Sequence, residues 1–197
     1  MKKTVTIIIL LICSAMSAGA QRLSVSSNLA DPLWLGTLNA GAEYGFSGHW
    51  AVEAGGRYNN WNFRCDCDSR AFQDRRRSLY AGPRYWFRDT CQGIWTGVRF
   101  QIEEYNRGGL FGKPETEEGN AAGIAFGLGF SHWLNKRLRL DAGAFFWAGG
   151  TVYSLYAAPR CGRCLVKEGR KGFVRYDSAI IALSYTLWES RNSKREK

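Results

Sequence analysis

Residues 121–133 read Ala-Ala-Gly-Ile-Ala-Phe-Gly-Leu-Gly-Phe-Ser-His-Trp. Large apolar side chains stand at Ile124, Phe126, Leu128 and Phe130, and glycine or alanine stands between them. A repeat of two puts successive side chains on opposite faces of an extended strand, so one face here is apolar and the other nearly bare. The same rhythm recurs along the chain. It predicts strands at Leu23 to Leu29, Leu38 to Phe46, Trp50 to Phe63, Ser78 to Phe87, Ile94 to Tyr105, Ala121 to Trp133, Leu138 to Tyr153 and Phe173 to Trp188. The connections alternate in length. Ser47 to His49, Arg88 to Gly93 and Leu134 to Arg137 are tight, whereas Arg64 to Arg77, Asn106 to Asn120 and Ser154 to Gly172 are long, with the shorter Ala30 to Thr37 on the long side. Tight turns at one end and loops at the other are the habit of outer-membrane barrels. The fold expected is all-β, an eight-stranded antiparallel up-and-down transmembrane β-barrel. Helical periodicity is missing, and 23 glycines, 8 tryptophans and only 4 prolines agree with an all-β chain.

The first residues bear on compartment. Lys2 and Lys3 precede a short apolar run from Val5 to Cys13, and Ala18-Gly19-Ala20 is a small-x-small site. Residues 1–20 are therefore read as a signal peptide cleaved before Gln21, 21–190 as the barrel and 191–197 as a basic tail. Lipidation at Cys13 is disfavoured by the bulky Ile12 before it. No later stretch approaches the roughly 18 apolar residues of a membrane helix, so any crossing falls to strands, which need about 9 to 11 residues each. The expected location is the outer membrane. Once Lys2 and Lys3 are removed, 25 Lys and Arg stand against 17 Asp and Glu. These charges lie in loops and the tail instead of along one element, which argues against nucleic acid as a partner.

Parity assigns two faces. Val98, Phe100 and Ile102 share one with the corresponding apolar residues of the other strands; Glu43, Glu53, Arg57, Arg84, Arg99, Glu103, Arg139 and Asp141 fall on the other, among glycines such as Gly55, Gly97, Gly127 and Gly129. A lipocalin-like exported barrel would turn the apolar face inward around an apolar ligand. Three features favour the opposite. The charges balance as four of each sign, as a closed interior requires. Glycines suit a lumen crowded by long Arg and Glu side chains. Aromatics gather near strand ends, Trp50, Trp86, Phe87, Trp133 and Trp188 on the tight-turn side, and Trp34, Trp61, Phe63, Trp147 and Tyr153 on the loop side, like two interfacial girdles. An eight-stranded barrel has room for little beyond its own side chains, so the eight charges are read as a salt-bridged plug and not a pore.

Asn39-Ala40-Gly41-Ala42-Glu43, His49-Trp50, Tyr58-Asn59-Asn60-Trp61-Asn62-Phe63 and Arg84-Tyr85-Trp86-Phe87 together resemble the strand patterns of an uncharacterised, domain-of-unknown-function family of small outer-membrane β-barrels of Bacteroidetes. The resemblance runs in order over most of the chain after the leader. It implies a barrel without a known catalytic centre and supplies no substrate. Asn60 stands where that family usually carries proline, and paired loop cysteines are not associated with it.

Catalysis at the outer leaflet, the chemistry of some barrels of this size, calls for a base beside a nucleophile. The chain has two histidines, His49 and His132, both at the tight-turn end, and Ser131 and His132 point to opposite faces of one strand. No enzyme, no cofactor and no metal site is expected. Phosphate-cradling glycine loops are absent. Basic residues, Arg64, Arg70 and Arg75 to Arg77 in one loop and Arg160, Arg163, Lys167, Arg170, Lys171 and Arg175 around another, could meet a surface protein or anionic lipid headgroups, or simply be solvated; Glu115, Glu117 and Glu118 oppose them in sign.

The cysteines are the chain's individual mark. Cys65 and Cys67 fall in one long loop, Cys161 and Cys164 in another, and Cys91 in a tight turn at the other end. Cys-x-Cys with Cys-x-x-Cys would suit zinc in a reducing compartment. Export to an oxidising one favours disulfides instead. Since near neighbours pair only under strain, the expectation is a clasp joining Cys65 and Cys67 to Cys161 and Cys164, of unknown connectivity, with Cys91 free.

Overall fold

The computed structural model describes residues 21–64, 71–109, 115–157 and 163–190. Eight strands run up and down: β1 (Arg22–Asn28), β2 (Leu38–Gly45), β3 (Trp50–Arg64), β4 (Ala71–Trp86), β5 (Gly93–Gly108), β6 (Glu115–Trp133), β7 (Leu138–Ala157) and β8 (Cys164–Glu189). Each pairs antiparallel with the next, and β8 returns to β1, so the sheet closes. Among the described residues the single helical turn, Asp31–Leu33, lies between β1 and β2, and no helix is long and apolar enough to cross a membrane.

The two faces are sharply sorted. Leu79, Phe100 and Leu128 are 63, 60 and 65 % exposed on the outside, whereas Glu43, Glu53, Arg84, Arg99, Arg139 and Asp141 are buried inside. The lumen glycines answer to aromatic rings as much as to charges. A Cβ on Gly127 would come within 2.5 Å of the Phe145 ring, and one on Gly129 within 2.3 Å of the Trp95 indole. Trp95 and Phe145 stack with centroids 5.7 Å apart, filling the barrel where glycine leaves room.

Two expectations change. Trp86 and Trp147 are fully buried in the lumen and belong to no girdle, whereas Trp50, Phe87, Trp188, Trp34 and Trp61 are exposed. Their parity already said so: Trp147 lies six residues beyond Asp141 and shares its face. The long connections are also shorter than expected, because β4 begins at Ala71, β6 at Glu115 and β8 at Cys164. Above the apolar belt both faces are polar, so alternation of hydrophobicity vanishes while the strand ladder continues.

Strand length is uneven around the ring. β1 and β2 have 7 and 8 residues, while β8 has 26. β8 pairs with β1 only through Ala182 to Glu189, and β3 pairs with β2 only as far as Tyr58. Beyond these points β3 and β8 run on, among the described residues, with no neighbouring strand on those sides. The wall therefore has a notch above β1 and β2, occupied by the loop around the one-turn helix.

The tight-turn end is closed by its own turns. The β4–β5 turn folds against the β2–β3 turn, the Thr90 N–H donating to the Gly48 carbonyl at 2.7 Å and the Thr90 hydroxyl to the Ser47 carbonyl. Cys91 adopts a left-handed conformation, φ +69°. That turns its thiol into the barrel, where it donates to Glu43 Oε1 at 3.3 Å.

Candidate functional site

Six of the eight charges assigned to the lumen by parity form one cluster at the tight-turn end. β2 and β3 supply Glu43 and Glu53, β4 and β5 supply Arg84 and Arg99, and β7 supplies Arg139 and Asp141. Arg84 bridges Glu43, at 3.1 Å, and Glu53. Arg99 pairs with Glu53 through Nε and through Nη2 at 3.2 Å. Arg139 joins Glu43 at 2.8 Å to Asp141 at 3.0 Å, and Ser131 and Ser184 donate to the two Asp141 oxygens. Three guanidinium groups meet three carboxylates, so the cluster is neutral. Neutrality is needed because a buried charge without a partner is costly. Arg99 Nη1 and Arg84 Nε have no hydrogen-bond partner. Each guanidinium instead lies over a ring, Arg99 3.6 Å from the Phe145 centroid and Arg84 4.3 Å from that of Trp95.

Cys91 seals this cluster from below. Burial pushes its thiol from the ordinary 9.0 up to about 12. The folded state thus holds the proton that the unfolded thiol loses near pH 9.0, so this group's contribution to stability is full below pH 9 and is lost as pH rises toward 12. Iodoacetamide at pH 8.5 should modify the exposed Cys164 readily and leave Cys91 untouched until the protein unfolds. Peptide mass spectrometry reads both, and equal rates would refute the burial of Cys91.

Arg57 and Glu103 lie higher and have different partners. Arg57 reaches Asp177 at 3.0 Å and Asp31 at 3.4 Å, and Gln101 donates to Asp177 at 2.8 Å. Glu103 accepts from Arg107 at 2.9 Å and Arg175 at 2.8 Å. Here the lumen opens into a cavity of about 950 Å³ at the end opposite the tight turns. Arg57, Arg76, Arg107, Lys167, Lys171 and Arg175 line it beside Asp31, Asp74, Glu103, Glu115, Glu117 and Asp177, six charges of each sign. Trp34, Tyr105, Tyr153 and Phe173 interleave with them. Most of these residues stand in stretches that read as loops. Extending strand parity outward would have found several: Asp74 and Arg76 share a face with Arg84, and Arg107 with Arg99. Asp177 was hidden by a β-bulge, where Phe145 and Phe146 pair with Ser178 and Tyr176 and the residue between them turns inward.

The other singled-out residues lie apart. His49 Nδ1 is 3.0 Å from the Trp86 carbonyl, and His132 is exposed on the outer surface, away from both charge clusters. Among the described residues no group of His, Cys, Asp and Glu is arranged to hold a metal. Cys164 carries a free, exposed thiol at the start of β8, and the other members of the expected clasp, Cys65, Cys67 and Cys161, lie outside the described residues. Arg75 and Arg77 project outward from β4, the latter over Tyr58 at 5.7 Å, and Arg163 pairs with Glu118 at 2.9 Å. Arg70 and Arg160 lie outside the described residues.

No curated protein and no solved structure matches the chain. A family described as "Protein of unknown function (DUF3575)" matches residues 5–187, nearly the whole length. With its eight-stranded closed sheet and charge-filled interior, the chain belongs to this family of unknown function.

Proposed function

We propose that the protein is an outer-membrane barrel, exported by a cleaved signal peptide, whose interior is plugged and whose outer rim carries a structural or surface-interaction role without catalysis. The observation that carries this reading is the sorting of the faces. Leu79, Phe100, Phe126, Leu128 and Phe130 stand exposed in a band, while the ionisable residues of the same strands are buried and paired. Water would favour the reverse arrangement; hydrocarbon favours this one. A lipocalin-like ligand binder needs an apolar interior, and this interior holds ion pairs. The wall's partner is membrane lipid. At the rim, Arg75, Arg77, Lys167 and Arg170 present the cationic surface that a surface protein or anionic lipid headgroups would meet. The free Cys164 thiol at the rim remains available for a loop disulfide in the oxidising compartment.

The test is heat modifiability after refolding in detergent. A closed barrel satisfies every strand hydrogen bond internally and holds its shape in dodecyl sulfate until boiled. Boiled and unboiled samples should migrate differently, and the protein should stay with outer membranes through salt and carbonate washing. Identical mobility together with solubility in the absence of detergent would overturn the reading.

A further inference from the structure

We infer that the outer cavity is a binding site for a single-chain amphiphile whose head carries no net charge, admitted sideways from the outer leaflet through the notch above β1 and β2. This rests on the membrane reading. The first support is wall height. A crossing takes about 9 to 11 residues per strand, and β1 and β2 have 7 and 8. At that point of the ring the loop from Leu29 to Thr37 completes the wall in place of a ladder. Its outer surface is apolar, with Leu33 85 % exposed and Leu29 and Trp34 also open.

The second support is continuity between cavity and outside. Tyr176 and Ala179 are exposed on the outer surface of β8 and also line the cavity, so the space reaches around the free edge of β8. On the opposite side Ala30, Asp31 and Trp34 of the loop line it. The loop is fastened at its margins. The Leu29 N–H donates to the Ile181 carbonyl at 2.8 Å, Asn28 Nδ2 to the Ala179 carbonyl at 2.9 Å, and the Trp34 indole N–H to Asp74 Oδ2 at 2.7 Å. Above these bonds Val174, 82 % exposed, and Tyr176 offer an apolar path along the β8 edge.

The third support is the chemistry of the lining. Sites for drug-sized ligands occupy about 300–1,000 Å³, and this cavity falls within that range. Its six positive and six negative side chains cancel, which favours a zwitterionic or uncharged head over an anion, and its aromatic residues offer apolar faces beside them. A head placed among Arg175, Glu103 and Lys171 would leave its chain room to run past Phe173 and Tyr176 to the notch.

The probe is a lysophosphatidylcholine with a diazirine at the chain end, mixed into vesicles holding the full refolded chain. After photolysis, peptide mass spectrometry should find adducts on the inward-facing cavity residues Phe173, Arg175, Asp177 and Ser178. Ala30→Trp, which narrows the mouth, should reduce these adducts at least tenfold, and Val174→Asp, on the exposed edge and away from the cavity wall, at least fivefold. Adducts on Leu128 and its outward neighbours should not change in either variant. Both variants are first checked for the folded gel band. Labelling confined to the outward residues overturns the inference while leaving the membrane reading intact. Stronger cavity labelling by the anionic phosphatidylglycerol analogue overturns the charge argument. No association with vesicles at all removes both.

Discussion

Glu53→Gln is expected to destabilise the barrel by about 3–5 kcal/mol, the usual cost of removing one member of a buried ion cluster. Glu53 accepts from both Arg84 and Arg99, and its loss leaves three guanidinium groups facing two carboxylates, Glu43 and Asp141, in a dry interior. The shape hardly changes, so the effect isolates charge. Reversible urea unfolding in vesicles, followed by tryptophan fluorescence, measures it. Replacing Glu53 and Arg99 together by leucine should cost less than the sum of the single changes, because each removal relieves the other's unpaired charge. Full additivity would mean that the two groups act independently.

Leu128→Arg should cost about 2–4 kcal/mol if placed near the middle of a bilayer. Leu128 points outward from β6 between Phe126 and Phe130 and is 65 % exposed. In a soluble protein such a change on an open surface is close to neutral. The two environments thus give opposite results for one substitution. The same unfolding measurement in lipid vesicles separates them.

The sequence carried the strand order, the antiparallel closure and the tight turns, because the apolar belt imposes a repeat of two that no other structure imitates over so many segments. It lost the strands where the belt ends. From Ala71 to Arg77 and from Cys164 to Gly172 neither face is apolar, so charge density reads as loop although the ladder continues. The eight lumen charges were legible from parity alone. Their partition was not: Glu43, Glu53, Arg84, Arg99, Arg139 and Asp141 close one end, while Arg57 and Glu103 face the outer cavity with partners such as Asp177 and Arg175. Asp177 escaped because a single bulged residue reverses parity along β8 from there to a second bulge at Val166. The shortness of β1 and β2 was visible in the spacing, but its consequence, a notch beside a cavity, needed the length of β8 next to them.

On the membrane reading, the apolar face of this sheet meets lipid. The most direct measurement places single spin-labelled cysteines at 124, 126, 128 and 130 of β6 in vesicles and compares collision with oxygen against collision with a water-soluble nickel chelate. All four labels should collide with oxygen and be shielded from nickel, with shielding deepest near 126 and 128. Nickel access at these positions in the folded, vesicle-bound protein would contradict it.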